Sequence, residues 1–432
     1  MSGATAAVGI WAPRRSPLTQ NVAAMYALQI ANYLIPFVTL PYLIRALGAE
    51  QYGVMAMAYA VVFFMVLFVD SGFNTLATRR LARPGIRAGH ISEIFVATQL
   101  IKLAQCAAMF LLLCALSAVV PQVGEVSAVY LASFPIVLGS LLYPTWLFQG
   151  LQIMHFTAAC SVGGRLLATV GIFVLVQDAG DVVFAALLQA SATAMSGLLA
   201  LPILFGRVRL SLVVPWRRVR VRMRRTLADA RPLALAEYLT DAVGNSGVFI
   251  LGFFASDAVV GVYAAVEKMA RAGASLFQPL MKALFPALAA RWISRAADTP
   301  VYCRSWTRRM LSLAIVLGVA MFVAAPTALE LLFGAGWAEH ALLLRVLAVW
   351  IAASVAATVV GQFWLLARGA RSAYARCLIA AGAVQLLAVL IGAGLYRARG
   401  LVVAIVIAEL VRLALFCVAA RRAERGVSAC AS

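Results

Sequence analysis

VVFFMVLFV, Val61 to Val69, is an unbroken run of nine apolar residues. A membrane-barrel strand alternates lipid-facing apolar and lumen-facing polar residues, and this run does not. Extended to 54–73 it reaches about 20 residues, the length an α-helix needs to cross a hydrocarbon core of about 30 Å. Similar stretches recur along the chain and give twelve expected spans, the first near 22–44 and the last near 401–419. Composition agrees. Of 432 residues 64% are hydrophobic and only 12% charged, with a mean hydropathy of +0.95. A soluble domain carries about twice that charge. A soluble enzyme, a disulfide scaffold and a disordered chain are therefore set aside, and the expected fold is all-α: a polytopic membrane protein of about twelve transmembrane helices.

Charge placement gives the orientation. The chain holds 36 basic residues. Of these, 26 fall in the N-terminus, the even-numbered loops and the C-terminus, and three, Arg45, Arg397 and Arg399, in the odd-numbered loops. The odd loops carry acids instead: Glu50, Glu125, Asp178, Asp181, Asp257 and Glu339. Basic loops stay cytoplasmic, so both termini are expected in the cytoplasm and the span count is expected to be even. The net charge of +20 is thereby explained by topology, and no basic domain outside the spans is left to bind nucleic acid.

The chain divides in two. A tail over 1–21 precedes six spans over 22–205, and a basic linker over 206–232, containing WRRVRVRMRR (Trp216 to Arg225), leads to six more over 233–419 and a tail over 420–432. The linker reads as a solvated cytoplasmic loop or as a strip against anionic headgroups. Each half has a similar corner, ALGAEQYGVMAMA (Ala46 to Ala58) and FASDAVVGVYAA (Phe254 to Ala265), in which a polar turn precedes Gly53 or Gly261. Halves with an even number of spans share one orientation. They would be related by an axis along the membrane normal, with six helices each around a central cavity.

Familiar catalytic signals are missing. The first apolar span is too long for a cleavable signal peptide. Seven cysteines include no C-x-x-C, and the three histidines, His90, His155 and His340, are scattered, so no metal is expected. No phosphate-binding glycine loop is present, and no cofactor is expected.

The chemistry lies in charges within the spans: Lys102, Arg165, Lys268, Arg271, Lys282, Arg345 and Arg412. Each costs about 2.5–3.5 kcal/mol at a bilayer centre, so each must face the bundle interior, pair or snorkel. Lys268, Arg271, Ser275, Gln278 and Lys282 are spaced 3, 4, 3 and 4, one face of the eighth span. That stripe suits a cavity receiving an anion. The alternative is a Glu267–Arg271 pair with Lys282 snorkelling. In the seventh span Glu237, Asp241 and Asn245 share a face, with Asp241 a partner for Arg271 or Lys268. The acids suit either cation coupling or a structural pair. Gln99, Lys102 and Gln105 give the third span a polar face, and Gln29 and Asn32 the first. Asp70 calls for a partner, expected in Arg79 or Arg80, and Glu409 and Arg412 for each other.

The stretch from Asn21 to Ala82 resembles the Wzx-type lipid-linked oligosaccharide flippases of the multidrug/oligosaccharidyl-lipid/polysaccharide exporter superfamily. The likeness is carried by LPYLIRALGAEQYG (Leu40 to Gly53), DSGF (Asp70 to Phe73), TRR (Thr78 to Arg80) and YPTWLFQGLQIM (Tyr143 to Met154). The second half adds the stretch from Gly261 to Ala289, LLFGAGW (Leu331 to Trp337) and GQFWLLARG (Gly361 to Gly369). The resemblance implies two bundles forming a V and passage of an undecaprenyl-diphosphate-linked oligosaccharide across the bacterial inner membrane, for O-antigen or exopolysaccharide assembly. It implies alternating access, a role as transporter and not enzyme, and as partners the membrane lipids, a polysaccharide polymerase and other assembly proteins. Carried over by position, Lys268, Arg271, Lys282, Lys102 and Arg165, with Gln278 and Asn245, would meet the diphosphate and sugars. Glu237, Asp241 and Glu267 would be coupling acids. Two rivals stand beside this reading: a cation-coupled multidrug exporter, which would favour an acidic cavity, and a membrane-embedded polysaccharide polymerase or acyltransferase, which would need a large outward loop or a catalytic His/Asp/Arg cluster.

Overall fold

The computed structural model describes residues 18–70, 72–82, 88–208, 210–294 and 298–428, and the side chains of 18–34 lie outside what it describes. The expected polar side chains Gln29 and Asn32, and the tails to residue 17 and beyond 428, are therefore outside the described residues.

The described chain is helical, without strands. Helix α1 (Leu18–Asp70) carries the first two spans and reverses at Gly48, whose φ of 75° only glycine adopts cheaply. Short α2 (Phe73–Leu81) leads to α3 (Ala88–Val119), and the single turn α4 (Pro121–Gly124) leads to the fourth span. That span comes in three pieces: α5 (Ser127–Ser133), α6 (Pro135–Leu142) and α7 (Thr145–Gly150). Both breaks fall at prolines, Pro135 and Pro144, which cannot donate to the preceding turn. Helices α8 (Met154–Leu175) and α9 (Val182–Pro202) close the first half.

The second half begins earlier than expected. Helix α10 (Trp216–Gly244) is continuous from the linker into the seventh span. Most of the segment expected as a loop over 206–232 is thus helix. Pro215 starts it, and the Arg, Val and Met residues that follow are helix-compatible with no glycine among them. Helices α11 (Ser246–Leu251), α12 (Asp257–Ser275) and α13 (Gln278–Ser294) follow, the last two separated at Leu276–Phe277 just before Pro279. Next come α14 (Thr299–Phe333), α15 (Ala341–Val359) and α16 (Arg371–Ser428), which reverses at Tyr396–Arg397.

Among the described residues, eight helices are long and apolar enough to cross a membrane. Two of them, Ile35–Leu81 and Arg371–Arg422, contain the reversals at Gly48 and Tyr396–Arg397, so each makes two crossings. The seventh and eighth spans, in α10–α13, are missing from the eight because they carry the charges. Twelve crossings result. Helices α8, α9 and α6 pack with α1 in the first half, and α15 packs against both α14 and α16 in the second, giving two helical bundles.

The bundles meet where α1 crosses α12, at the end of the odd-numbered loops. A Cβ on Gly53 would lie 1.8 Å from the carbonyl oxygen of Asp257, and one on Gly261 would lie 1.9 Å from that of Ala49. The relation is reciprocal. Asp257 is four residues before Gly261, and Ala49 four before Gly53, so on each helix a glycine meets the carbonyl one turn before the glycine of the other. At the same end Arg45 Nη2 donates to the Leu331 carbonyl over 2.5 Å, tying the two halves again. At the arginine-rich end α10 is the tie. Glu237 accepts from the Gly72 N–H and the Thr75 hydroxyl, each over 2.8 Å, and Asp229 pairs with Arg80 over 2.7 Å. Glu93 of α3 takes Arg222 over 2.8 Å and Arg218 over 3.3 Å, so the basic segment lies along the first bundle.

A methyl group at either crossing glycine must push two backbones apart, an overpacking cost of about 1–3 kcal/mol. Gly53→Ala and Gly261→Ala are expected to lower the thermal unfolding midpoint of the detergent-purified protein. Gly89→Ala, whose Cβ meets nothing within 4 Å, is the control and leaves it unchanged or slightly raised. Unchanged midpoints in all three would remove the crossing as a close contact.

Candidate functional site

Below that crossing a cavity of about 660 Å³ opens between the halves. The first half contributes the Pro36 to Leu43 turns of α1, with Tyr59 and Gln189; the second contributes α12, Gln278, the Trp350 to Thr358 face of α15, and Arg412. Three cations reach it, each held differently.

Lys268 is seven residues beyond Gly261, about 10 Å along the helix. Its Nζ donates to Tyr52 Oη over 2.8 Å and sits 5.3 Å from the centre of that ring. Among the described residues it has no carboxylate partner, and the side chain is exposed to the cavity. Arg271 donates through Nη2 to Glu267 Oε1 and to the Gly244 carbonyl, each over 2.8 Å. Its side chain is 40% exposed, so part of its five-donor fork stays free. Arg412 pairs with Glu409 three residues earlier and reaches Thr358 Oγ1 over 3.4 Å. Three cations against two carboxylates leave Lys268 as the uncompensated charge. An unpaired ammonium at membrane depth is costly, and a bound anion relieves that cost.

Gln278 and Ser275 line the cavity with Lys268 and Arg271. Lys282 does not: it is exposed on α13, outside the lining. The five-residue stripe therefore lines the cavity as far as Gln278, the first residue of α13. Lys102 lies in the first bundle, 1% exposed, with Nζ bonded to Asp70 Oδ1 at 2.6 Å, Asn74 Oδ1 at 2.9 Å and the Ser140 carbonyl at 3.4 Å. Asp70 thus has its partner in Lys102, not Arg79 or Arg80, because Arg80 is turned outward to Asp229 and Thr226. A side cavity of about 220 Å³ adjoins this pair, and Tyr59 is a wall common to it and the central cavity. Arg165 stands near Tyr59 and Tyr143, outside both linings.

Among the acids, Glu267 is buried against Arg271, Glu237 is held by Gly72 and Thr75, and Asp241 is exposed and pairs with neither Lys268 nor Arg271. Asn245 bonds through Nδ2 to the Asp241 carbonyl over 2.8 Å and finishes α10, away from the lining. Among the described residues no three His, Cys, Asp or Glu side chains converge as a metal site would need. Arg412, Tyr52 and Tyr59 belong to the site without having been assigned to it. Tyr52 and Tyr59 are seven apart, two turns of one helical face, and that spacing was the available signal.

A family model described as polysaccharide biosynthesis protein matches residues 18–292. A curated relative from Escherichia coli (strain K12), named "Putative O-antigen transporter", is 26% identical over 91% of this chain and 94% of its own. Among solved structures, the inward-facing conformation of a multidrug resistance MATE family transporter of the MOP superfamily superposes with a TM-score of 0.72 at 14% identity, over 95% of this chain and 100% of that one. Lipid II flippase MurJ in its inward closed conformation gives 0.68 at 10% identity, over 92% and 86%. Two helical bundles are the architecture these structures share with it. Matched by the family model over more than half its length, this chain belongs to the polysaccharide biosynthesis protein family.

Proposed function

We propose that this protein is a flippase that carries an undecaprenyl-diphosphate-linked oligosaccharide from the cytoplasmic to the periplasmic leaflet of the bacterial inner membrane. It is a transporter and not an enzyme. The observation that carries the reading is the position of Lys268, an uncompensated cation at a cavity walled by both halves. A diphosphate brings the negative charge that Lys268 lacks, and the free donors of Arg271 and Arg412 suit its oxygens. A volume of about 660 Å³ suits the diphosphate and the first sugars. The polyprenyl tail stays in the lipid. A cationic drug would meet Lys268 with no carboxylate to spare, which argues against the exporter reading.

Alternating access follows from the joint. With α1 and α12 crossing at Gly53 and Gly261, the odd-loop end is held shut, and release on that side requires the two helices to part. The likeness to inward-facing and inward-closed relatives supports this assignment of state, and the arginine-rich loops support cytoplasmic termini. Lys102 is assigned a structural role, as the internal counterion of Asp70.

Two measurements test these roles. In a host deleted for the gene, the lipid-linked repeat unit is expected to accumulate on the cytoplasmic face and surface polysaccharide to fall. Lys268→Gln with Arg271→Gln should restore less than about a tenth of the wild-type polysaccharide, since each charge-assisted bond is worth about 1.5–3 kcal/mol. Lys282→Gln should restore it fully. Full rescue by the double variant would exclude the basic cavity as the substrate site. For Lys102, Lys102→Met should destabilise the purified protein by about 3–5 kcal/mol, because it strands Asp70, and Lys102→Met with Asp70→Asn should recover most of that. If Lys102→Met unfolds like wild type but fails to transport, Lys102 acts on substrate.

A further inference from the structure

The two halves of α16 enclose a groove of about 700 Å³ at the odd-loop end, apart from the central cavity, whose lining shares no residue with it. Its floor is a backbone crossing: a Cβ on Gly392 would lie 2.5 Å from the Gly400 carbonyl oxygen, and one on Gly400 would lie 2.1 Å from that of Gly392. Its walls are Ile391, Leu395, Val403 and Ile407, at least 45% exposed and so turned to lipid. Its mouth holds Arg397 and Arg399.

Those arginines are anomalous in three respects. They stand in an outward loop, against the charge bias of the other loops. The third basic residue of that class, Arg45, is engaged by the Leu331 carbonyl, whereas among the described residues neither Arg397 nor Arg399 makes an ion pair or hydrogen bond. Arg397 also has φ 50° and ψ −132°, a conformation a glycine would take without strain. The turn therefore holds two guanidinium groups free of protein partners, one on a strained backbone, where a headgroup phosphate would lie.

We propose that this groove binds one anionic phospholipid of the outer leaflet, its phosphate between Arg397 and Arg399 and one acyl chain along the glycine floor. Charge complementarity selects the headgroup. Length selects the chain. Ala388 to Tyr396, and Arg399 to Ile407, each span about 12 Å, close to the roughly 15 Å of hydrocarbon in one leaflet. A polyprenyl chain long enough to exceed a leaflet does not fit that run. The site is independent of the transport reading.

Native mass spectrometry of the purified full-length protein tests it, with phosphatidylglycerol and phosphatidylcholine of identical acyl chains added in turn. Wild type is expected to retain one phosphatidylglycerol, at least about tenfold over phosphatidylcholine. Arg397→Gly with Arg399→Gln keeps the turn, since glycine suits the φ, and should lose that preference while unfolding at no lower temperature. Val403→Trp fills the groove and should lose retention of both lipids. Equal retention by the arginine variant, or no preference for phosphatidylglycerol in wild type, overturns the proposal. So does displacement of the bound lipid by undecaprenyl diphosphate, which would make the groove part of the substrate path.

Discussion

Two backbones in contact organise this molecule. At Gly53 and Gly261 each helix lies against a carbonyl of the other, and any side chain larger than hydrogen at either position would separate them. In lipid, helices gain little from burying apolar surface against one another, so close approach through small residues is what holds a crossing. The contact is reciprocal, each glycine facing a backbone carbonyl of the other helix.

The cavity follows from the crossing. Helix α12 is pinned to α1 near its N-terminus, so its next turns must descend between the bundles, and Lys268 and Arg271 descend with it. Tyr52, one residue before Gly53, receives the Lys268 ammonium, so the joint and the charge are adjacent parts of one contact between halves. The charge at the site is therefore tied to the state of the joint. Parting α1 from α12 would also separate Lys268 from Tyr52, a physical route by which occupancy of the cavity and closure at the odd-loop end can influence one another.

Much of this was legible beforehand because membranes make sequence patterns blunt. Apolar runs gave the crossings, and the basic loops gave their parity. The Ala46–Ala58 and Phe254–Ala265 corners matched poorly as text, yet their glycines are the residues that touch. The polar stripe was readable through Gln278, the first residue of α13, but not to Lys282, because helical spacing assumes one unbroken helix and the chain breaks at Leu276–Phe277, so α13 does not carry the register of α12 a full turn further. The partner of Asp70 was missed for a different reason. Arg79 and Arg80 are near in sequence, but Lys102 is near across the bundle, and packing between helices has no period to read. The linker was read as a loop because its charge suggested water, whereas Glu93 of α3 takes Arg218 and Arg222, and Asp229 within the segment takes Arg80 of α2, so it lies as a helix along the first bundle.

The central claim is that the odd-loop end is shut by the α1–α12 crossing and must open for transport. Glu50 stands beside Asp257 across that crossing, so cysteines at these two positions, in an otherwise cysteine-free protein, can report on it. Oxidation in native membranes is expected to cross-link Glu50→Cys to Asp257→Cys, abolish appearance of the lipid-linked oligosaccharide on the periplasmic face, and release that block on reduction. A pair that does not cross-link, or a cross-linked protein that transports like the reduced one, would contradict the account.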